Sequence, residues 1–378
     1  MFLSFRRIFN IDWLLFLSII PLLGAGLITM KGLSPAEGIG GENGDYYFNR
    51  QLIWIFLALV VFFIFSLIDW RFLKSGGLLL SLLILSLISL VFLLILGIKT
   101  RGAASWFRFG AFSVSPADPI KLFLILVLAK YFSRRHIEIA DIKHILISAS
   151  YAVIPAALIF FQPDFGSAII ILAIWLGMVL VSGISKKHLF LFFLTTVFIF
   201  SAGWFFVLEP YQKERVLTFL DPLRDPQGAG YNALQSMIAV GSGQILGKGI
   251  GYGTQSRLEF LPEHQTDFIF AAFAEEWGFV GALAIIFLFG FAIWRVLKNA
   301  FNGQGNFERF FGIGLSVFLA SHAVIHIGMN IGLLPITGIP LPFVSYGGAN
   351  LLTVFAGLGI LMGMRSYGIN VPDDPHLI

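Results

Sequence analysis

Three carboxylates set the chemical question. The stretch from Leu261 to Gly278 reads LPEHQTDFIFAAFAEEWG, with Asp267 at the mouth of an apolar segment and Glu275 and Glu276 inside it. A charged side chain at the centre of a bilayer costs about 2.5–3.5 kcal/mol on insertion scales, so carboxylates in such a segment are functional-site candidates. A second constellation lies upstream. Asp118 and Lys121 flank Pro119, and their three-residue spacing puts them on one face of a helix. A carboxylate can take a proton from a sugar hydroxyl, and lysine and arginine neutralise phosphate. Gathered at one membrane surface, these groups suit an amphiphile with an anionic head. They fit glycosyl transfer from a lipid pyrophosphate, and equally the movement of such a lipid across the membrane.

The elements that carry these residues are apolar. The chain has 378 residues, 57% hydrophobic and 12% charged, with a mean hydropathy of +0.87. A soluble domain is usually about 25% charged. Long apolar runs, rather than alternating ones, predict membrane helices and not a barrel. The expected fold is an all-α polytopic membrane protein forming one domain over residues 1–378. Runs at about 12–30, 51–69, 77–97, 119–133, 143–160, 167–183, 187–207, 268–294, 308–331 and 346–364 predict about ten transmembrane helices. A long extracytoplasmic loop, about 208–266, separates the seventh from the eighth. Within it, Tyr231 to Val240 reads as an amphipathic helix at the outer leaflet. The start, MFLSFRRIFNIDW, reads as the flank of an uncleaved first helix rather than a signal peptide.

Lysine and arginine then orient the bundle. With the N-terminus in the cytoplasm, inner segments hold thirteen of them, including Arg71, Lys74, Arg134, Arg295 and Arg365, against five in the short outer loops. That balance predicts both termini inside and the long loop outside. The net charge of +4 is modest and does not point to nucleic acid. Without cysteine there is no disulfide, thiolate metal site or thiol nucleophile. No His-x-x-x-His pair is expected on a polar helix, which argues against zinc.

On this topology the unusual polar residues share the outer side: Arg101, Asp118, Lys121, Asp164, Arg215, Gln255, Glu263, Asp267 and Ser345. Each has a plainer reading. Asp118 before Pro119 suits a helix N-cap, and Lys121 suits a simple ion pair with it. Asp164 suits a turn. Asp267, with Thr266, suits the N-cap of the eighth span.

The motifs RGAASWF, QPDFGSA, FLDPLRDPQGAGYNALQSMIAVGSG, GYGTQSRLEFLPEHQTDFIFAAFAEEWGFVG and LLPITGIPLPFVSYGG resemble, in order and along nearly the whole chain, the SEDS family (shape, elongation, division and sporulation). The resemblance lies nearer its RodA branch than its division branch. It implies a peptidoglycan glycosyltransferase acting on lipid II at the outer face of the bacterial cytoplasmic membrane. It makes Asp267 the general base on the acceptor 4-hydroxyl, with undecaprenyl pyrophosphate leaving. Lys121, Arg101 and Arg215 become candidates to stabilise the leaving group, beside Asp118, Asp164, Gln255, Glu263 and Ser345 as substrate-binding residues. It also implies Mg²⁺ or Mn²⁺ and no organic cofactor. The implied partners are a class B penicillin-binding protein transpeptidase and the elongation machinery.

The chain departs from the family's pattern at two places. Asp118 stands where the family usually has glutamate, and Gln265 where it often has histidine, which leaves His264 unassigned. Glu275 and Glu276 lie about 12 Å beyond Asp267 on a straight helix, too far for the same proton transfer, and are expected to pair structurally. A lipid II flippase and a non-catalytic cell-wall scaffold are the alternatives. A flippase needs polar groups reachable from both faces.

Overall fold

The computed structural model describes residues 11–32, 44–74, 77–96, 107–109, 112–135, 141–206, 209–225, 228–258, 260–303 and 305–365. Among the described residues, ten helices of 17 or more residues coincide with the ten apolar runs: α1 (Trp13–Gly32), α2 (Gly44–Leu67), α3 (Leu78–Leu96), α4 (Ala117–Arg135), α5 (Ile142–Phe160), α6 (Phe165–Val181), α7 (Lys186–Phe206), α11 (Ile269–Phe301), α12 (Asn306–Asn330) and α13 (Gly348–Arg365). Among the described residues, seven of these are long and apolar enough to cross a membrane: α1, α2, α3, α5, α11, α12 and α13. Outside the helices, a two-stranded hairpin pairs β1 (Phe107–Phe109) with β2 (Phe112–Val114).

The protein is an integral membrane protein, and its packing shows why so little charge is present. Leu85, Ile88 and Ile95 of α3 and Leu146 and Val153 of α5 are exposed, as side chains facing lipid would be. The enclosed centre is α12 and α13. α13 lies along α2, α12 packs against α11, α4 and α6, and α1 backs α11. Close approach on α13 relies on small residues, since a Cβ at Gly348 would strike the Trp54 ring.

The segment 208–266 is largely helical rather than an open loop. It holds α8 (Pro210–Leu220), a 3₁₀ turn Pro222–Arg224, α9 (Ala229–Ser242) and α10 (Thr254–Arg257). α9 contains the expected amphipathic stretch and packs on α11. The reason lies in α11 itself, which is broken. Gly278 stands at φ 66°, ψ −167° inside the 33-residue element, a conformation that suits only glycine. The chain between Gln244 and Gly249 fills the break. The Lys248 and Gly249 N–H groups donate to the Glu275 and Glu276 carbonyls (3.0 Å each), and the Phe279 and Val280 N–H groups donate to Gln244 O (2.8 Å) and Ile245 O (3.1 Å). Backbone freed at membrane depth is thereby satisfied within the protein.

At the opposite end, Arg295 is more than the basic anchor expected of an inner-side residue. Its guanidinium forks onto Asp12 through Nε (3.0 Å) and Nη2 (2.6 Å), and Asn299 Nδ2 donates to the same carboxylate (2.6 Å). Arg365 approaches to 3.7 Å. This buried cluster ties α1 to α11 and α13.

Candidate active site at the turn before α11

Asp267 lies in the turn that leads into α11, half-buried. The turn is organised by Glu263, which sits at φ 48°. Its carbonyl accepts from the Thr266 and Asp267 N–H groups at 3.1 and 3.0 Å. Asp267 is not the N-cap expected as its plainer role. Phe268 occupies the cap position, without a side-chain cap bond. The cap comes from another helix instead. Asn330, at the end of α12, accepts from the Ala271 N–H through Oδ1 (3.1 Å) and donates through Nδ2 to the Asp267 carbonyl (3.1 Å). A carboxylate in the N-cap role would spend its oxygens on helix N–H groups; here Asn330 takes that task.

The last outer loop closes over this turn. Ser345 Oγ donates to the Thr266 carbonyl (2.8 Å) and accepts from the Leu341 N–H (2.8 Å). The Tyr346 N–H donates to the Gln265 carbonyl (2.9 Å), and Gln51 Nε2 on α2 donates to Ser345 O (3.2 Å). Gly338, at φ 70°, lies against the Asp267 carboxylate, so that a Cβ built there would be 3.5 Å from Oδ2. The next two residues are held from below. His326 Nδ1 bonds to Ile339 O (2.6 Å) and His322 Nδ1 to Pro340 O (3.1 Å). Both donor assignments follow from the acceptor being a carbonyl. The two histidines are fully buried on α12. They form a His-x-x-x-His pair, but on an apolar helix and engaged with backbone.

The acid–base pair on α4 sits behind the same loop. Asp118 lies within the first turn of α4 rather than at its N-cap, and its Oδ1 accepts from Lys121 Nζ at 3.0 Å. Lys121 is 1% exposed and is an electrostatic neighbour of His322. Its ammonium thus faces Asp118 and the core rather than solvent.

The remaining candidates separate. Asp164 caps α6, its Oδ1 accepting from the Ser167 N–H (2.9 Å), as its turn reading implies. The Gln255 N–H donates to Glu275 Oε1 (3.1 Å), placing it in the loop over the break of α11. His264 Nδ1 bonds to Leu261 O (3.0 Å) and its Nε2 to Gln265 Nε2 (2.7 Å). Arg101 lies outside the described residues. Arg215 belongs to α8, but its side chain is also outside them. Glu275 pairs as expected: Lys248 Nζ (2.7 Å), Thr254 Oγ1 (3.1 Å) and the Ser256 N–H (3.3 Å) and hydroxyl (3.1 Å) all donate to it. Residue types in the sequence do not mark Asn330 or the two buried histidines, because their partners are backbone groups distant in the sequence.

The chain matches the family model FtsW/RodA/SpoVE, described as "Cell cycle protein", over residues 12–368. It is 34% identical over 368 residues to the "Probable peptidoglycan glycosyltransferase FtsW" of Wigglesworthia glossinidia brevipalpis, covering 94% of this chain and 93% of that protein. It is 38% identical over 286 residues to the "Peptidoglycan glycosyltransferase MrdB" of Escherichia coli K12, covering 76% and 77%. A solved structure described as "Structural coordination of polymerization and crosslinking by a peptidoglycan synthase complex" superposes with a TM-score of 0.80 at 30% identity, covering 96% of this chain and 99% of the other. With the match spanning nearly every element that builds the Asp267 turn, the chain belongs to the FtsW/RodA/SpoVE family, the SEDS family that its motifs resemble.

Proposed function

We propose that this protein is a peptidoglycan glycosyltransferase that polymerises lipid II at the outer face of the bacterial cytoplasmic membrane. In this reading all ten long helices cross the membrane and both termini are cytoplasmic. The chain is one domain, and its branch is the RodA branch that serves elongation. The names of the curated relatives support the reaction class. The observation that supports the site is the division of labour at α11: Asn330 caps the helix, and the Asp267 carboxylate lies against Gly338 of the loop that closes over the turn.

Asp267 acts as general base. One carboxylate oxygen takes the proton of the acceptor 4-hydroxyl as that oxygen attacks the anomeric carbon of the donor sugar. The new glycosidic bond forms with inversion as the bond to undecaprenyl pyrophosphate breaks, and both electrons of that bond leave with the pyrophosphate. Lys121, held by Asp118, contributes positive potential from behind the loop, where low dielectric strengthens it. Arg101 and Arg215 are the proposed direct contacts to the leaving phosphates. Glu263 and Ser345 act on substrate through the shape of the turn. Asp164 and Gln255 complete the proposed binding set at its margin. Among the described residues no three histidine, aspartate or glutamate side chains gather as a metal cage. The proposed divalent cation would arrive on the substrate's phosphates, as magnesium commonly does. The chain carries no Ser-x-x-Lys motif for cross-linking, so its proposed partner is a class B penicillin-binding protein.

Polymerisation of purified lipid II by the wild type and by Asp267→Asn, with and without the cognate transpeptidase, tests the proposal. The wild type should make glycan and the variant should not. An active Asn variant refutes the general base, and a wild type that moves labelled lipid II between leaflets without making polymer refutes the enzyme in favour of a flippase.

A further inference from the structure

We propose that His322 and His326 are positioning residues for Asp267, fixing from α12 the loop backbone that lies against its carboxylate. The proposal rests on Asp267 being the base. Each histidine acts through a carbonyl of the 335–340 segment. That segment has no regular secondary structure, and Pro335 and Pro340 bring it no N–H. Among the described residues, its hydrogen bonds run to α12 alone. Thr337 Oγ1 donates to Met329 Sδ (3.6 Å), His326 Nδ1 to Ile339 O (2.6 Å) and His322 Nδ1 to Pro340 O (3.1 Å). The Ile339 side chain is buried and adds an apolar anchor. Gly338, one residue earlier, is exposed and stands at φ 70° against the Asp267 carboxylate.

One helix therefore holds both sides of that contact. His322, His326 and Asn330 follow at four-residue steps, which places them on one face of α12. Asn330 Nδ2 ties the Asp267 carbonyl (3.1 Å) and also the His326 carbonyl (2.8 Å). His326 and His322 tie the far side, through Ile339 and Pro340. The three side chains span roughly 12 Å of helix at 1.5 Å per residue. α12 is itself gripped by α4, α6 and α11, so the spacing between the turn and the loop is set by a rigid element.

The choice of histidine points the same way. Both rings are fully buried, and neither Nε2 atom has a hydrogen-bond partner. Burying an unpartnered acceptor is unfavourable, and leucine at either place would avoid it. With a carbonyl as acceptor, Nδ1 carries the ring proton. The one hydrogen bond that each ring makes goes to the loop beside Asp267. A misplacement of about 1 Å at a reacting group can cost 10²-fold in rate, so a loop held this closely bears on the chemistry.

The test is polymerisation of purified lipid II by the full-length protein, with kcat and KM taken per folded molecule and Asp267→Asn assayed alongside. His326→Leu removes the donor and should lower kcat about tenfold with KM within about twofold. His326→Asn carries its amide nitrogen on Cγ, as histidine carries Nδ1, and should recover kcat to within about threefold of wild type. His144→Leu removes another buried histidine, in the first turn of α5, where it bonds Tyr131 (2.8 Å). It should lower the melting temperature and leave kcat within about twofold; a merely structural role predicts the same of His326→Leu. Should His326→Leu fail to fold, His322→Leu, which loses the longer bond, should lower kcat about fivefold. Wild-type kcat in whichever leucine variant folds, no recovery in His326→Asn, or an equal fall in His144→Leu overturns the proposal. An active Asp267→Asn defeats the base itself, whereas an inactive one beside an unimpaired leucine variant defeats the positioning role alone.

Discussion

Asp267 and Glu275 stand eight residues apart in one stretch of chain, and their surroundings are opposite. Glu275 is fully buried and receives the Lys248 ammonium, three hydroxyls and two backbone N–H groups. A carboxylate has about four lone-pair sites, so Glu275 is saturated. Taking a proton would mean surrendering several charge-assisted bonds. Asp267 is half-buried, and the bonds that fix its turn run through backbone atoms of Glu263, Thr266 and Asp267 and through Asn330 and Ser345. The difference teaches how one segment supports two roles. Around Glu275 the neighbours' donors converge on the carboxylate, whereas around Asp267 the bonds from Asn330 and Ser345 run to the backbone of the turn.

Breaking the two carboxylates should therefore give opposite signatures. Asp267→Asn should lower lipid II polymerisation by about 10²–10⁴-fold while the melting temperature in detergent stays put. Glu275→Ala strands Lys248 and the loop donors, and should cost about 3 kcal/mol of stability, read from the denaturation midpoint. Its activity per folded molecule should fall far less than that of Asp267→Asn, and a greater fall would erase the contrast. Asn330→Ala removes the cap on α11 and the tie to the Asp267 carbonyl together. A stability loss of about 1–2 kcal/mol should accompany a drop in kcat of about tenfold with KM little changed, because the proposed base is displaced while the residues proposed to bind substrate stay in place. Ser345→Ala should have the smallest effect, about 1 kcal/mol for one hydrogen bond. A larger effect on rate than on stability would mean that its hydroxyl touches substrate.

The inner end extends the lesson. The Asp12–Arg295–Asn299 cluster is as saturated as Glu275, although its acid and its arginine are 283 residues apart. Charge counting assigns Arg295 to the membrane surface, and only the packing of α1 on α11 brings its fork onto a buried carboxylate.

The ten helices were legible from the sequence because each needs only its own apolar run, which excludes water along its whole length. Family membership was legible because long motifs persist in order. The carboxylates were visible too, since an acid among apolar residues stands out wherever the chain goes. Their division of roles depends on distant partners. The break at Gly278 leaves no mark in hydropathy, since AEEWGFVG stays apolar on both sides apart from its two glutamates. It exists because the 244–249 segment returns to satisfy the interrupted backbone. Likewise, Asp118 reads as a cap and Asp267 as another until the helices are placed, when Asp118 falls inside its first turn and Asn330 arrives from α12 to do the capping. Hydrophobic burial is written residue by residue, and so the sequence alone determined the helices. Hydrogen-bond partners are chosen among groups that only folding brings to about 3 Å, and so the tertiary structure alone decided that donors enclose Glu275 and that Asn330 caps α11 beside Asp267.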